Sequence, residues 1–565
     1  MPQDDVTTVD LVVVGAGTGL LGAIAAADAG RRVLVVEKSR YVGGSTSMSG
    51  GGFWIPGNSL LREFGVSDSR ERASAYLDAL VGDTAPRERR QSFLEHGPEA
   101  VEVLRRSLPN SWQHMREYSD YFPEVEGGSA FGRAIEPAPF NLALLGDDRS
   151  LLRPPPLAAP VPMPITGRDY KFMNLVARQP SGAIAIAKRV GEGLGGKLLG
   201  REYAAGGQAL AAGLLIAARK HGVTIWTESP LRDLVVERGR VVGVVVQREG
   251  HAVSVRAERG VLLSAGGFEH NREMRQKYQS NALSEDWSLA NPANTGDVIR
   301  IAQGNGAALT LMDQAWWFPA IPPIGDKGYP GTLLAERSLP GSLIVDGTGS
   351  RFFDEAVNYM TAGQIMLGIG RKDDKAPHLP AWLVFDQTYR NRYVLGGAVM
   401  PRMPLPKAWY DAGVAHKANS LAELSQQVAA PALAETVQRF NLLAAQGHDD
   451  DFGRGNSAYD RYYGDPTVHP NPNLGPLTRP PFYAVQVVPG DLGTCGGIQA
   501  DGLARVVSTD GSVIEGLYAS GNAAGNAFGA YYPGPGATIG QGLTFGYIAA
   551  THAVGKLPTP AAAAS

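Results

Sequence analysis

The sequence predicts an α/β fold: a Rossmann-like domain that starts at the N-terminus, is interrupted by an α+β domain, and resumes near the C-terminus. Three observations carry this. Val9-Asp10-Leu11-Val12-Val13-Val14 is a short β-branched run that reads as a buried strand, and it leads into the glycine turn Gly15-x-Gly17-x-Gly19-x-x-Gly22. Residues 20–29 are alanine-rich and read as a helix stopped by Gly30, and residues 32–37 read as a second buried strand. Together they make a parallel mononucleotide-binding β-α-β unit of about 30 residues. Far along the chain, Gly516-Leu517-Tyr518-Ala519-Ser520-Gly521-Asn522 reads as the strand that returns to close the same domain.

The remaining elements follow in order. Residues 70–105 have helical spacing, and 127–164 are proline-rich and irregular. Residues 168–203 read as an inserted, partly helical segment. A helix is expected over 209–221, a strand at 224–226, and a hairpin over 234–246 turning at Gly239. Residues 260–267 read as a buried strand ending in a glycine pair. From 311 to 484 the pattern is mixed, with helical stretches near 421–445. The expected division is a discontinuous first domain, 1–310 and 485–565, with an insert at about 154–203, and a substrate-capping domain at 311–484. No internal repeat is evident.

Composition excludes several classes. The chain has 565 residues, 44% hydrophobic and 19% charged, which suits two or three globular domains and not a disordered chain. Lys and Arg total 52 against 55 Asp and Glu, a net charge of -3, so no nucleic-acid partner is indicated. The single cysteine, Cys495, rules out an intrachain disulfide or a multi-cysteine metal site, and no metal is expected. The N-terminus lacks a basic region followed by an apolar one, and no apolar run reaches membrane-spanning length, so a cytoplasmic location is expected. The 71 glycines are close to twice the usual share, which suggests many close backbone approaches to a phosphate-bearing ligand.

The glycine turn points to that ligand. Gly15, Gly17 and Gly19 let the backbone approach a pyrophosphate at a helix N-terminus, and Glu37 stands about 20 residues on, where a carboxylate accepts hydrogen bonds from a ribose. The spacing departs from Gly-x-Gly-x-x-Gly because position 20 is Leu. Glu37-Lys38 leads into Gly43-Gly44-Ser45-Thr46-Ser47-Met48-Ser49-Gly50-Gly51-Gly52, small residues able to pass close to a flat ring. A flexible linker has similar composition, but the position directly after the ribose carboxylate favours FAD over NAD. Gly536-Ala537-Thr538-Ile539-Gly540 opens a helix whose N-terminus could face a flavin carbonyl. No flavin-linking histidine or cysteine motif stands out, so FAD is expected to be noncovalent.

These motifs, with Ala265-Gly266-Gly267-Phe268, Asn294-Thr295-Gly296-Asp297 and Asp491-Leu492-Gly493-Thr494, resemble the fumarate reductase and 3-ketosteroid dehydrogenase flavoprotein superfamily. Ser49-Gly50-Gly51-Gly52-Phe53-Trp54-Ile55-Pro56-Gly57 and Tyr531-Tyr532-Pro533-Gly534-Pro535-Gly536 resemble 3-ketosteroid Δ1-dehydrogenases in particular. The resemblance covers nearly the whole chain, except a stretch at about 154–200 that shorter members lack. It implies cofactor contacts at Gly15, Gly17, Gly19, Glu37, Lys38, Gly44, Ser45, Thr46, Ser49, Gly50, Gly51, Gly266, Asp297, Gly521, Asn522, Ala537 and Ile539.

It also implies a reaction. A Δ1-dehydrogenase passes the C1 hydride of a 3-ketosteroid to flavin N5 and its C2 proton to a base, giving the 1-ene product of steroid degradation. Carried over residue by residue, Tyr359 matches the base and Tyr121 the tyrosine that assists it, with Tyr118 a nearby alternative. Tyr532 and the Gly536 amide match the clamp on the C3 oxygen, with Tyr531 as the alternative. A phenol has a pKa near 10, so only about one part in a thousand is ionised at neutral pH. A neighbouring donor lowers that value, which predicts a role for Tyr121 beside Tyr359 and an alkaline optimum. A single tyrosine among 20 is otherwise simply packed. Tyr532 also has local support, because its Tyr-Pro-Gly-Pro-Gly turn presents a hydroxyl and a free amide together before a helix.

A dicarboxylate oxidoreductase of the fumarate reductase type needs histidine and arginine clamps, and Leu492-Gly493-Thr494-Cys495-Gly496-Gly497 lacks the histidine. His270 and Cys495 are expected to be structural. A 3-ketosteroid Δ4-(5α)-dehydrogenase is the nearest alternative, and a non-catalytic flavin electron carrier a more distant one. Turnover calls for an electron acceptor, and no motif specifies it or the oligomeric state. Residues 168–201 carry Arg168, Lys171, Arg178, Lys188, Arg189, Lys197 and Arg201 against Asp169 and Glu192, among apolar residues. This segment is expected either to pack on the flavin domain with a solvated basic edge or to make peripheral contact with an anionic membrane.

Overall fold

The fold is built on two sheets, seen in a computed structural model that describes residues 8–155, 161–325, 328–370 and 376–557. The chain opens with β1 (Thr8–Val14), α1 (Gly19–Asp28) and β2 (Val33–Val36), followed by a short α2 (Gly44–Met48). β1 and β2 pair in parallel and are almost wholly buried, as a strand covered on both faces must be. Two helices follow, α3 (Arg70–Val81) and α4 (Arg87–Ser107). The insert supplies α5 (Gly167–Asn174) and α6 (Pro180–Leu198). The first unit then continues as α7 (Gly206–Lys220), β3 (Thr224–Trp226), β4 (Leu231–Glu237), β5 (Arg240–Arg248), β6 (His251–Leu263) and α8 (Asp297–Gly304). The hairpin turn between β4 and β5 falls at Arg238-Gly239, both with positive φ.

The second sheet begins with β7 (Ala315–Ile321) and β8 (Gly331–Thr332), then β9 (Ser342–Val345), α9 (Tyr359–Leu367), β10 (Ala381–Asp386) and β11 (Ala415–Ala418). β12 (Phe482–Thr494) runs through its middle. The chain ends with β13 (Arg505–Val507), β14 (Val513–Ala519) and α10 (Ala537–Ala553). The first sheet has eight strands in the order β13-β14-β6-β1-β2-β3, with β5 on β6 and β4 on β5. The second has six, in the order β8-β7-β12-β10-β9 with β11 on β12, and its pairs are antiparallel.

β14 returns to the first sheet in parallel with β6, at the place the sequence indicated. The boundary expected at 485 instead falls inside β12, which pairs throughout with the second sheet. The crossing back comes after Thr494. The apolar and β-branched run from Phe482 continues past the expected boundary, and it is the pairing partner, not the composition, that decides its sheet.

The insert is helical, but its burial is reversed. α6 buries Gly182, Arg189, Gly193 and Gly196. Arg189 pairs there with Asp169 at 2.7 Å and Glu192 at 2.8 Å. Ile184, Leu194, Leu198 and Leu199 face outward, 67%, 44%, 89% and 72% exposed. Not all the basic heads are free: Arg178 pairs with Asp465 at 2.8 Å and Lys171 with Glu117 at 3.4 Å. Residues 156–160 of the expected insert lie outside the described residues. Among the described residues no helix is long and apolar enough to cross a membrane.

Candidate active site

A cavity of about 580 Å³ runs from the glycine turn of the first sheet to the base of the second, within the usual range for a cofactor or small-molecule site. Its first half is backbone-rich. Gly15 adopts φ +104°, and a Cβ there would lie 2.4 Å from the Ser264 carbonyl oxygen, so only glycine lets the turn pass against the end of β6. Glu37 accepts the Ala16 amide at 3.0 Å and the Ser39 amide at 2.9 Å, which fixes its carboxylate at the cavity wall. Lys38 Nζ reaches Asp297 at 2.5 Å and Thr295 at 2.8 Å. Burial pushes the Asp297 carboxyl up, but Lys38, with Thr295 and Arg300, outweighs it and holds the group below its ordinary value.

The predicted cofactor residues gather here, with two exceptions. Gly15, Gly17, Glu37, Lys38, Gly44, Ser45, Thr46, Ser49, Gly50, Gly51, Gly266, Asp297, Gly521, Asn522 and Ile539 line the cavity. Gly19 does not: a Cβ there would meet Ser264 Cβ at 2.9 Å, so it serves the packing of α1 against β6. Ala537 does not either. It is fully buried and its amide donates to Gly534 O at 3.1 Å within its own turn, so Thr538 and Ile539 take the place at the wall. The small-residue run is not a loop throughout, since 44–48 form α2. Ser45 Oγ accepts from the Asn291 amide at 3.1 Å and from Asn294 Nδ2 at 3.0 Å, which ties α2 to the start of α8. Ser264 Oγ lines this part and is buried without a hydrogen-bond partner among protein atoms. A glycine cradle, a fixed carboxylate and an unpartnered buried hydroxyl together fit FAD.

The other half of the cavity is aromatic. Tyr359 is the first residue of α9, whose cap Asn358 accepts from the Thr361 amide at 3.0 Å. Tyr121 lies on a loop held in two ways. Its amide donates to Pro533 O at 3.0 Å, and its neighbour Asp120 accepts from Trp54 Nε1 at 2.8 Å and pairs with buried Arg133. Tyr532 precedes α10 in the same Pro533 turn and meets the edge of Trp316 at 4.7 Å. Gly536 has φ +89°, and a Cβ would lie 2.3 Å from Gly52 O. That turn is therefore seated directly on the 50–52 segment.

The three tyrosines come together. Tyr121 Oη donates to Tyr359 Oη at 2.7 Å, and the rings of Tyr121, Tyr359 and Tyr532 sit 5.0–5.3 Å apart. Thr538 Oγ1 donates to Tyr532 Oη at 3.0 Å. Burial pushes the Tyr359 hydroxyl well above its ordinary value, Tyr532 and Tyr118 push it further, and the donor from Tyr121 pulls only partly against them. Tyr121 acts in the expected direction and makes this phenol easier to ionise than burial alone would leave it, but the net position stays above the ordinary value. The hydrogen bond exists, but loss of water outweighs it. Burial also raises Tyr532, and the Thr538 hydroxyl, Tyr359 and the Thr538 and Gly536 amides oppose it.

The alternatives separate on geometry. Tyr118 Oη lies 3.4 Å from Tyr121 Oη but its ring stacks on Tyr462 at 4.5 Å, one step further from Tyr359. Tyr531 packs on Phe122 and is not part of the wall. Cys495 is fully buried, with burial pushing its thiol up, and His270 faces the Ala290 carbonyl at 3.3 Å. Among the described lining residues the cationic side chain is Lys38, already paired with Asp297. Sequence reasoning missed Met115, Tyr170, Phe318, Tyr329, Thr332 and Tyr463, which complete the wall. Apart from Thr332 these are ordinary apolar or aromatic positions, and none has a local pattern to mark it.

Comparison with known proteins adds the context. The family described as FAD binding domain matches residues 10–539. The chain is 44% identical over 551 residues to the 3-oxosteroid 1-dehydrogenase of Mycolicibacterium smegmatis, covering 96% of each. It is 36% identical to the 4-oxocyclohexanecarboxylate 2-dehydrogenase of Sinomonas cyclohexanicum, covering 97% of this chain and 93% of that protein. Its structure superposes on 3-ketosteroid delta1-dehydrogenase from Sterolibacterium denitrificans, solved with 1,4-androstadiene-3,17-dione. The TM-score is 0.90 at 37% identity, with 97% of this chain and 99% of that one covered.

Proposed function

The chain belongs to the 3-oxosteroid 1-dehydrogenases of the FAD-binding flavoproteins, and from that premise we propose how its residues carry out FAD-dependent 1,2-dehydrogenation of a 3-ketosteroid. The observation that carries the reading is the 2.7 Å hydrogen bond from Tyr121 to Tyr359 beside Tyr532, inside the cavity that Gly15, Glu37 and Lys38 also line. Bound FAD, held by the glycine turn, Glu37 and the 44–51 segment, supplies the hydride acceptor.

The rest falls to the side chains. Tyr532 Oη and the Gly536 amide hold the C3 oxygen. Because Thr538 Oγ1 donates to Tyr532 Oη, the Tyr532 proton is left to point at the ketone. Polarising the carbonyl makes the C2 proton acidic, and Tyr359 as phenolate removes it. Tyr121 donates to the Tyr359 oxygen and so stabilises the anionic form. Phe318 supplies a flat apolar wall 5.0 Å from Tyr359, and Trp316 backs the Tyr532 ring from behind. With one paired lysine as the cation at the wall, a dicarboxylate would find no clamp. The test is anaerobic mixing of the purified holoprotein with androst-4-ene-3,17-dione. Bleaching of the flavin with a 1,4-diene product supports the reading. No bleaching, or bleaching only with 5α-saturated steroids, overturns it.

The same reading assigns the exposed stripe of α6 to an anionic membrane on the cytoplasmic side. Ile184, Leu194, Leu198 and Leu199 face out, flanked by exposed Lys188, Lys197 and Arg201. α5 of the same insert reaches the cavity through Gly167 and Tyr170. A steroid partitions into lipid, so a lipid-facing insert beside the cavity suits its delivery. Holoprotein should co-sediment with vesicles containing anionic lipid, and Leu198→Asp/Leu199→Asp should not, with flavin bleaching unchanged. No binding to anionic vesicles, or a dimer in solution that the same substitutions dissolve, removes the membrane assignment.

A further inference from the structure

The cavity has a second polar end that the tyrosine cluster does not use. From Tyr121 the aromatic wall continues to Tyr118 at 6.1 Å, to Tyr463 at 5.4 Å from Tyr118, and to Tyr170 at 6.3 Å from Tyr463. At its end the Tyr170 hydroxyl stands 3.5 Å from Thr332 Oγ1, and both residues line the cavity. Leu334 and Ile165, also in the lining, are apolar, and the Thr166 hydroxyl beside them donates to Asp169, which leaves the Tyr170–Thr332 pair to face a ligand.

The pair is built in, not incidental. Tyr170 belongs to α5 of the insert and Thr332 to β8 of the second sheet, so the insert and the second sheet each supply one hydroxyl. Behind them stands Glu336, fully buried. Its Oε1 accepts the Gly397 amide at 3.2 Å, and its Oε2 is buried without a partner. Gly397 itself closes on Thr332, since a Cβ there would lie 2.9 Å from Thr332 Oγ1. The Tyr389 hydroxyl donates to the Glu336 carbonyl at 2.7 Å, and Arg337 Nε donates to Leu333 O at 3.2 Å, so the segment behind the pair is fixed. After burial, the Glu336 carboxyl is the main influence raising the Tyr170 hydroxyl, which places the two groups together.

We propose that Tyr170 and Thr332 form a distal subsite that hydrogen-bonds an oxygen at the ring-D end of the steroid, a carbonyl or a hydroxyl. This rests on the function proposed above, because it requires the A-ring carbonyl to lie at Tyr532 and Gly536. Two hydroxyls at the far end of an apolar slot discriminate by what they lose. A ring-D oxygen pairs with them, and a substrate without one leaves them desolvated with only their long 3.5 Å contact to each other. The subsite therefore acts on substrate selection and not on the chemical step.

The experiment compares androst-4-ene-3,17-dione with androst-4-en-3-one, which lacks the ring-D oxygen, in anaerobic flavin reduction by holoenzyme. Tyr170→Phe and Thr332→Val are each expected to lower kcat/KM for the 17-oxo steroid about tenfold through KM. The 17-deoxy steroid should be reduced as before, and the limiting rate should hold for both. Equal losses on the two steroids would mark the residues as merely structural and overturn the proposal, as would no loss on either. Parent enzyme that reduces with both steroids, with variants that lose equally on both or on neither, sinks only this subsite. Parent enzyme that reduces with neither sinks the functional reading as well.

Discussion

Tyr359→Phe isolates the chemical role of a single oxygen. The ring is 5% exposed and packed by Phe318 at 5.0 Å, Tyr121 at 5.2 Å and Tyr532 at 5.3 Å, and phenylalanine keeps those contacts. What the fold loses is one acceptor for Tyr121, which still has Tyr118 Oη 3.4 Å away, so the stability cost is about 1 kcal/mol. What the reaction loses is its general base, a factor of about 10²–10⁴, or about 3–5 kcal/mol of barrier. The two effects therefore separate cleanly. The assay is anaerobic rapid mixing with a 3-ketosteroid, following flavin reduction, with the FAD content of each preparation measured beforehand. The expected variant is yellow, fully loaded and at least a hundredfold slower. Reduction within tenfold of the parent, with FAD bound, would refute Tyr359 as the base.

Three further outcomes follow from the same structure. Because burial holds the Tyr359 hydroxyl well above its ordinary value, the phenolate fraction should grow about tenfold per pH unit, and log kcat/KM should climb with unit slope from pH 6 to 10; a flat profile there would contradict a tyrosinate base. Gly15→Ala would place a Cβ 2.4 Å from the Ser264 carbonyl at φ +104°, so the variant should lose most of its bound FAD, and a full flavin complement in the purified protein would count against the cradle. Burial raises Glu336 from 4.5 to about 7, so the folded state holds that proton more tightly: its contribution is complete below pH 4.5 and lost as pH rises through 7, on the order of 3 kcal/mol. Glu336→Gln should flatten that decline in urea melts at pH 5 and pH 8, and parallel behaviour of parent and variant would exclude it.

What could be read from the sequence is what local chain geometry dictates. The β-α-β unit declares itself because β-branched runs, a glycine turn and an alanine-rich helix are each short-range signals, and they agree. Glu37 follows because its place is set by chain distance from the turn. Tyr121 and Tyr359 were reachable only through resemblance: they lie 238 positions apart and meet through the packing of α9 against the loop on the Pro533 turn. Gly19 and Ala537 carried the right motif and the wrong direction, since a motif does not say which way its neighbours have already spent their amides and packing surfaces. The reversed burial of α6 was equally hidden. Its glycines are inside because Pro162, Phe172 and Tyr203 press close to them, a fact about neighbours and not about period.

Burial has two opposed effects on the base, and Tyr121 sits at their balance. Withholding water makes the Tyr359 phenolate rare, and it also makes that phenolate, once formed, a stronger base toward a carbon acid. The hydrogen bond from Tyr121 raises the population and lowers the strength. A donor to a charged oxygen contributes about 1.5–3 kcal/mol, which is about one to two pKa units. Tyr121→Phe should therefore cut the phenolate fraction about 10- to 100-fold, and the stronger base that remains should return part of the loss. The net expectation is flavin reduction about 3- to 30-fold slower, with the unit pH slope kept, because the titrating group is still Tyr359. This separates a tuning residue from the base itself. If Tyr121→Phe slows reduction as much as Tyr359→Phe, or abolishes the slope, the proton goes to Tyr121 and the order of the pair must be reversed.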